Sequence, residues 1–165
     1  MAVNPELIYW DSNVFLAVLD KKDLRQELAI AVLDEVSSSK GRKKIVTSAI
    51  SRVEVAFVQT ERDRRTLNND IERKIDDLWN DDSVIEVIEI SDQIALDARK
   101  LIRRSIERGN RTIKPADSIH LASAFYISAK WLHTFNVSDF APFQGERGLT
   151  ICEPFVESPR LPGIH

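Results

Sequence analysis

The sequence predicts an α/β fold, a three-layer sandwich in which helices cover both faces of a central, mostly parallel five-stranded sheet. Short apolar runs with strand character alternate along the chain with longer segments that have helical spacing. Such alternation is typical of parallel sheets, because each parallel crossover needs a connection long enough for a helix. With 165 residues, of which 43% are hydrophobic, the chain is long enough to bury one substantial core. We therefore expect a single domain over residues 1–165.

The first half of the chain is predicted to contain two strands and three helices. Apolar residues recur at helical spacing from Leu24 to Val36, and a small polar run ending in Gly41 stops this helix. Thr47 or Ser48 can cap the next helix, because a hydroxyl oxygen can accept from a free backbone amide. The predicted elements are a strand over 7–10, a helix over 24–36, a strand over 44–47, a capped helix through Glu54 to about residue 60, and a charged helix over 64–79 with Leu67, Ile71, Ile75, Leu78 and Trp79 on one side.

The second half is predicted to add three strands and two helices. Ser91 can cap a helix that ends near Gly109, since glycine readily adopts the backbone conformation found just past a helix C-terminus. Pro115 suits the first turn of the following helix, where its missing amide hydrogen is not needed. The predicted elements are a strand over 84–90, the Ser91-capped helix, a helix from Pro115 to about Lys130, and strands over 131–135 and 149–152.

Composition limits the classes of protein to be considered. The formal net charge is −3, so a nucleic acid could bind only to a local basic patch. The single cysteine, Cys152, excludes an internal disulfide and is typical of a reducing compartment. The first residues lack a basic segment followed by an apolar one, and no apolar run approaches the roughly 20 residues that span a bilayer. We expect a cytoplasmic protein that does not contact a membrane.

Four acidic residues lie inside or against apolar runs, where a carboxylate is costly unless something neutralises it. Asp11 separates two such runs, Glu54 interrupts a third, Asp117 precedes a fourth, and Asp139 follows the predicted fourth strand. In open parallel sheets, sites form beyond the carboxyl ends of the strands, where helix N-termini also gather. All four acids could therefore face one crevice, and a hard divalent cation would be their natural counter-charge.

Each of these acids also has a purely structural explanation. Asp11 can cap a helix, Asp117 can complement the positive end of a helix dipole, and Asp139 can cap a turn. Glu54 is harder to explain in this way, because its apolar neighbours leave little room for a solvated face. His120, one turn after Asp117, is more typical of a hydrogen-bonded core histidine than of a ligand or base. Only the joint arrangement of the acids favours a functional site.

A basic stretch precedes Asp117 and offers a local site for a polyanion. It can be simply the solvated face of an amphipathic helix, as most charge runs are. Its position directly before Asp117 favours a role in holding a phosphate backbone. The stretch comprises Arg99, Lys100, Arg103, Arg104, Arg108, Arg111 and Lys114.

Four short motifs, taken in order, resemble those of a PIN domain, and in particular those of the VapC-like toxins of bacterial and archaeal toxin–antitoxin pairs. The similarity spans nearly the whole chain, and its specificity comes from the order and spacing of the motifs. They are Asp11-Ser12-Asn13 after the first strand, Ser48-x-x-Ser51-x-x-Glu54, Lys114-Pro115-Ala116-Asp117-x-x-His120-x-Ala122-x-Ala124, and Thr134-x-Asn136-x-x-Asp139-Phe140.

The resemblance implies an endoribonuclease that depends on Mg2+ or Mn2+. By motif match, the expected catalytic residues and metal ligands are Asp11, Glu54, Asp117 and Asp139. We expect Asp11 and Asp117 to hold the principal ion, while Glu54 and Asp139 ligate a second ion or orient its water. The resemblance further implies a homodimer and a small antitoxin protein, a segment of which covers the site.

Polar and basic residues around the acids are expected to contact the RNA. Ser12 and Asn136 would hydrogen-bond to the acids, to water or to phosphate, and Asn13 is assigned to substrate binding beside them. Asn136 stands at a place where some members of the family have an acid. The basic side chains assigned to RNA are Arg104, Arg108, Arg111 and Lys114.

Other classes of protein compete with this interpretation. A dinucleotide-binding enzyme needs a glycine-rich turn after the first strand, and the residues that follow Asp11 include no glycine there. A phosphatase or receiver domain with an aspartyl nucleophile would want a second acid two residues later, where the chain has Asn13, or a lysine after the last strand. The remaining alternative is a catalytically silent PIN-fold module that only binds RNA or a protein. Retention of all four acids counts against it.

Overall fold

A parallel five-stranded sheet forms the centre of the molecule in the computed structural model, which describes residues 3–108 and 111–157. The strands are β1 Glu6–Trp10, β2 Lys43–Ser48, β3 Ile85–Ile88, β4 Trp131–His133 and β5 Thr150–Cys152. Their order in the sheet is β3-β2-β1-β4-β5, and every pairing is parallel. Tyr9 of the central strand lies between Val46 of β2 and Leu132 of β4. The predicted sheet is confirmed, with no antiparallel pairing among the described residues.

Helices cover both faces of this sheet, as predicted. Successive residues of a strand point to opposite faces, so Ile8 and Trp10 join a core with α1 and α2 while Tyr9 joins a core with α6 and α7. None of the helices in the described ranges is long and apolar enough to cross a membrane. The helices are α1 Ser12–Leu19, α2 Gln26–Ser37, α3 Ser51–Glu54, α4 Gln59–Arg64, α5 Asn69–Leu78, α6 Asp92–Glu107, α7 Pro115–Tyr126 and α8 Val137–Phe140.

The chain between β2 and α5 differs from the prediction. The single helix expected through Glu54 to about residue 60 is wrong, because α3 ends at Glu54 and α4 begins at Gln59. Val55 leaves the helical region, with φ of −88° and ψ of 62°, and Val55 and Val58, at the ends of the break, are both buried in the α1/α2 core. The break places Glu54 at the end of a single helical turn.

A buried carboxylate fixes the next segment. Glu61 is 6% exposed and accepts hydrogen bonds from the Val58 and Asn68 amides at 3.1 and 2.8 Å. Asn68 in turn caps α5, so the charged helix begins at Asn69 and the helix predicted from residue 64 is wrong in its first turn. Leu67, predicted on the apolar side of that helix, is consequently 80% exposed.

The remaining boundaries agree more closely with the prediction. Ser91 caps α6 by accepting from the Ile94 amide at 3.2 Å, and Pro115 occupies the first turn of α7. α7 ends at Tyr126 instead of continuing to about Lys130, because Ser128 has a left-handed backbone with φ of 54°. α2 begins at Gln26, which leaves Leu24 outside the helix and 99% exposed. The predicted end near Gly109 lies outside the described residues.

Candidate active site

Three of the four predicted acids lie in segments that follow the carboxyl ends of neighbouring strands, and the fourth lies at the start of a helix. Asp11 directly follows β1, and Glu54 ends α3 after β2. Asp117 lies in the first turn of α7, and Asp139 lies in α8 after β4. Strands β2, β1 and β4 are adjacent in the sheet, so the fold directs these residues toward one end of it.

Asp11 is the most firmly held of the acids. Its side chain is buried, with 4% of the residue exposed. One oxygen accepts from the Ser12 amide at 2.7 Å and from Ser12 Oγ at 3.4 Å, and the other accepts from Asn13 Nδ2 at 3.1 Å and Thr134 Oγ1 at 2.8 Å. The helix-capping explanation is therefore correct. The same geometry fixes the carboxylate at the end of the central strand, so capping and a functional role are compatible.

Ser12 and Asn13 support Asp11 in this structure. Asn13 bridges two loops, since Nδ2 donates to Asp11 and to Thr134 Oγ1 while Oδ1 accepts from the Phe135 amide at 3.1 Å. Thr134, to which the sequence analysis gave no role, holds Asp11 from the end of the adjacent strand. Its position in the motif before Asn136 was the available signal. Asn136 is exposed, and its amide donates to Thr134 Oγ1 at 3.0 Å.

Glu54 and His120 form the shortest contact in the site. Glu54 Oε1 lies 2.5 Å from His120 Nε2, and Asp11 Oδ1 lies 3.4 Å from the same nitrogen. His120 is fully buried, and its Nδ1 is 2.7 Å from the Tyr9 hydroxyl. Burial opposes the charged ring, but the hydrogen bond with Glu54 and the charges of Asp11, Glu54 and Asp117 outweigh burial and raise the pKa of His120. The histidine is a satisfied core residue, as expected, and it also reaches the acids.

The charges of the other three acids affect the pKa of Asp117. Burial is the largest cause that raises the pKa of Asp117, and the negative charges of Asp11, Asp139 and Glu54 raise it further, to about 6 from its ordinary value of 3.8. His120 acts in the opposite direction. Like charges nearby add to the effect of burial on the pKa of a carboxyl group. The four acids therefore share one electrostatic environment.

Asp139 has a basic partner within the site. Its Oδ1 lies 2.8 Å from Arg111 Nη1, and the Arg111 side chain is 63% exposed. Arg111 belongs to the basic stretch, so this ion pair links that stretch to the acids. An exposed ion pair of this kind is weak and exchanges readily with other partners.

The donor set fits a divalent cation. Asp11, Glu54 and His120 each offer one ligand atom, and these atoms lie within 4.8 Å of one another. This compact group contains His120, whereas the motifs predict Asp117 and Asp139 as the ligands beside Asp11 and Glu54. Asp117 contributes a further carboxylate, whose pKa is raised by burial and by the charges of Asp11, Asp139 and Glu54. Carboxylate oxygens suit Mg2+ and Mn2+.

The sequence and the fold both match one known family. The family model of the PIN domain matches residues 8–141, which include all four acids. The chain belongs to the PIN domain family. No curated protein matches the sequence.

Solved structures with the same fold include toxins and toxin–antitoxin complexes. This PIN domain is 16% identical to VapC20 of Mycobacterium tuberculosis, a toxin that cleaves the sarcin-ricin loop, with a TM-score of 0.61 over 82% of this chain and 94% of that chain. It is 18% identical to a chain of VapBC2 from Rickettsia felis, which is bound to promoter DNA. The TM-score is 0.64, and the match covers 88% of this chain and 96% of that chain. It is 22% identical to a chain of a toxin–antitoxin complex from Klebsiella pneumoniae. The TM-score is 0.56, and the match covers 87% of this chain and 95% of that chain. At these identities the likeness establishes a shared fold.

The four residues of the basic stretch that were assigned to RNA fall into two pairs. Arg104 Nη2 lies 2.7 Å from Glu146 and Arg108 Nη1 lies 3.3 Å from the same carboxylate, and both guanidinium groups lie over the Phe143 ring. These two arginines brace α6 against the segment that follows α8. Arg111 pairs with Asp139 instead, and Lys114 is exposed directly before α7. Arg111 and Lys114 are thus the basic residues adjacent to the acids.

Proposed function

We propose that this PIN domain is an Mg2+- or Mn2+-dependent endoribonuclease that hydrolyses RNA phosphodiester bonds. The observation that carries the proposal is the group of Asp11, Glu54 and His120, whose candidate ligand atoms lie within 4.8 Å of one another, with Asp117 near enough that burial and the charges of Asp11, Asp139 and Glu54 raise its pKa. Carboxylates gathered in this way favour a divalent cation as their counter-charge. Membership of the PIN domain family supports the same reaction.

The carboxylates have distinct tasks in this proposal. Asp11 and Asp117 would hold the principal cation, and Glu54 and Asp139 would complete the site or orient water beside it. A bound cation would activate water for attack and offset the charge that develops on the phosphate. Asp11 contributes a position fixed before binding, since its two oxygens are already held by Ser12, Asn13 and Thr134. A carboxylate that is already placed need not be reorganised during the reaction.

The residues around the acids would bind the substrate. Arg111 and Lys114 would attract the phosphate backbone, and Arg111 would exchange its ion pair with Asp139 for one with phosphate. Asn136 is exposed beside the acids and is available to an RNA hydroxyl or phosphate. Ser12 and Asn13 act through Asp11, to which both are hydrogen-bonded.

We further propose that the protein is the toxin of a toxin–antitoxin pair. Its fold is shared with a toxin of Mycobacterium tuberculosis and with chains of the complexes from Rickettsia felis and Klebsiella pneumoniae. A small antitoxin protein is the proposed partner, and a homodimer is the proposed assembly. Copurification of a small protein encoded next to this one, followed by measurement of the mass of the complex, tests both statements.

The chemistry of the cut ends tests the nuclease proposal. With Mg2+ or Mn2+, the purified protein is expected to cut single-stranded or loop RNA internally and to leave a 5′-phosphate and a 3′-hydroxyl. These ends result when water attacks phosphorus, whereas attack by the RNA 2′-hydroxyl leaves a cyclic phosphate. End-group analysis therefore separates this activity from that of a contaminating metal-independent ribonuclease.

EDTA is the control for this experiment, and it should abolish cutting reversibly. Any copurifying partner must first be removed under denaturing conditions, with refolding checked by circular dichroism. An inert protein after that treatment, across RNAs of varied sequence, would contradict the nuclease proposal and favour a PIN-fold module that only binds RNA or a protein.

The two pairs of residues in the basic stretch should separate RNA binding from stability. Replacing Arg111 and Lys114 with alanine is expected to weaken RNA binding and to reduce the slope of log K against log salt by about 1 to 1.5, since each phosphate contact in a single strand contributes about 0.7. Filter binding at several salt concentrations measures this slope.

Replacing Arg104 and Arg108 is the matched control, because it removes the same charge from the same stretch. This double variant loses the contacts with Glu146 and Phe143, so its melting temperature should fall by a few degrees, for a loss of about 1 kcal/mol. Its RNA affinity should fall less than that of the other pair. Equal affinities and salt slopes in the two double variants would place the RNA elsewhere.

A further inference from the structure

Glu54 is held less firmly by the protein than Asp11 is. It ends a helix of four residues, and its side chain is 30% exposed. Among the described residues, only His120 makes a hydrogen bond to the Glu54 carboxylate, whereas Asp11 has four such contacts with three residues. A long glutamate side chain loses considerable rotational freedom when it is fixed. The position of Glu54 therefore depends on His120.

His120 is itself fixed by a buried chain of hydrogen bonds on the sheet. The Ser48 amide donates to the Tyr9 hydroxyl oxygen at 3.0 Å, and that hydroxyl lies 2.7 Å from His120 Nδ1. All three residues are fully buried. Burial raises the pKa of Tyr9, so the hydroxyl keeps its hydrogen. An ionised carboxylate can only accept, so the Glu54 oxygen 2.5 Å from Nε2 places a hydrogen on that nitrogen, and Nδ1 of a neutral ring then accepts from the Tyr9 hydroxyl.

The contacts with Glu54 and Tyr9 together indicate which nitrogen of the His120 ring carries a hydrogen. When Nδ1 accepts from Tyr9, the hydrogen of a neutral imidazole resides on Nε2, which lies 2.5 Å from Glu54 Oε1. In the charged imidazole both nitrogens carry hydrogens, so Nε2 is a donor in either state. A nitrogen that carries a hydrogen has no lone pair for a metal. The compact group of Asp11, Glu54 and His120 therefore contains two ligands and one donor.

We propose that His120 is a positioning residue, which uses its Tyr9-fixed Nε2–H group to hold Glu54 beside Asp11 and is not a metal ligand. This inference rests on the proposed function, because it assumes that Glu54 helps to bind the cation. The donor also offsets part of the repulsion between the two carboxylates before the cation arrives. Removing the donor should reduce metal affinity, in the same way that loss of a partner behind a metal ligand does.

Two substitutions that each imitate one ring nitrogen test this role. Glutamine places its amide nitrogen near the position of Nε2, so His120→Gln keeps a donor to Glu54. Asparagine is shorter and imitates Nδ1, so His120→Asn keeps a partner for Tyr9 and loses the donor. Calorimetric titration with Mn2+, without RNA, should show binding about 10- to 100-fold weaker in His120→Asn and within a few-fold of wild type in His120→Gln.

Two further variants separate an effect on metal binding from a general loss of stability. Leu121→Ala empties a fully buried position next to His120 on α7, so it should lower the melting temperature without changing Mn2+ affinity. Tyr9→Phe retains the imidazole but removes the hydroxyl that fixes it, so its Mn2+ affinity should fall toward that of His120→Asn. If His120→Asn does not fold, the Tyr9→Phe result decides in its place.

Nitrogen NMR of the imidazole distinguishes a positioning residue from a ligand. His120 Nε2 should keep its hydrogen both without metal and with saturating Mg2+. Loss of that hydrogen on Mg2+ binding would make His120 a ligand and would overturn the inference, as would equal Mn2+ affinity in His120→Gln, His120→Asn and wild type. If wild type cuts no RNA but the variants keep the expected order of Mn2+ affinity, the proposed function fails and the positioning role stands.

Discussion

RNA cleavage by the Asp11→Asn variant is expected to be about a hundredfold to ten-thousandfold slower than cleavage by wild type, for a loss of several kcal/mol in the transition state. Asp11 is the acid that the fold fixes most firmly, through Ser12, Asn13 and Thr134. Asparagine preserves its size and removes its charge, so the site would lose a cation ligand. RNA affinity should change little, because the backbone contacts are assigned to Arg111 and Lys114. Single-turnover rates and filter binding measure the two quantities separately.

Asp82→Asn is a suitable control for this variant. It makes the same chemical change at an exposed residue before β3, far along the chain from the four acids. Its cleavage rate should equal that of wild type. Thermal melting of both variants shows whether they are folded at the assay temperature. If a folded Asp11→Asn protein cuts RNA as fast as wild type, Asp11 has no role in the reaction, and the proposed metal centre is wrong.

The sheet was predictable because its determinants are local. Apolar runs of strand length, the cap at Ser91 and the proline at the start of α7 each depend on a few neighbouring residues. The segment after β2 was not predictable in this way. Its helix ends at Glu54 because Val55 leaves the helical region, and Glu61 accepts from two backbone amides that are ten residues apart along the chain. Hydrogen bonds from a side chain to the backbone compete there with a continuous helix.

The sequence indicated the acids of the candidate site, but it did not indicate the residues that hydrogen-bond to them. The order and spacing of the motifs predicted the four carboxylates as one group, and the structure brings Asp11 and Glu54 together with His120, while Asp117 and Asp139 remain predicted ligands. Thr134 and Tyr9, which hold Asp11 and His120, lie more than a hundred residues from those partners in sequence. The pairing of Arg104 and Arg108 with Glu146 is also distant. Such contacts leave no periodic signal in a single sequence.

The Asp117→Asn variant is expected to melt at a higher temperature than wild type when no metal is present. A pKa raised from 3.8 to about 6 corresponds to roughly 3 kcal/mol of lost stability above pH 6, and partial exposure of the residue reduces this to about 1 to 2 kcal/mol. Asparagine carries no charge and avoids this loss. The expected increase is about 3 to 6 °C at pH 7.5 in EDTA, measured by calorimetry or circular dichroism, with Asp82→Asn melting like wild type.

The increase in melting temperature caused by Asp117→Asn should become smaller as the pH falls. Between pH 3.8 and 6 the folded protein binds more protons at Asp117 than the unfolded chain does, so this residue makes wild type less stable as pH rises through that window. His133 has the opposite effect, because burial and the nearby charge of Lys43 lower its pKa to about 4 and stability is lost as pH falls. The difference between the variant and wild type cancels the His133 contribution. That difference should shrink toward zero as pH falls from 6 to 4.

Adding metal should reverse which protein, wild type or Asp117→Asn, has the higher melting temperature. On the proposed assignment, Mn2+ should bind folded wild type through the carboxylates and raise its melting temperature by an amount that grows with metal concentration, and EDTA should reverse the effect. Asp117→Asn would lack one proposed ligand, so it should gain much less and melt below wild type at saturating Mn2+. A structural role for Asp117 in the helix dipole alone predicts the contrary, because asparagine would then destabilise α7 at every metal concentration. Curves that never cross as Mn2+ is added would show that the four acids do not share a cation.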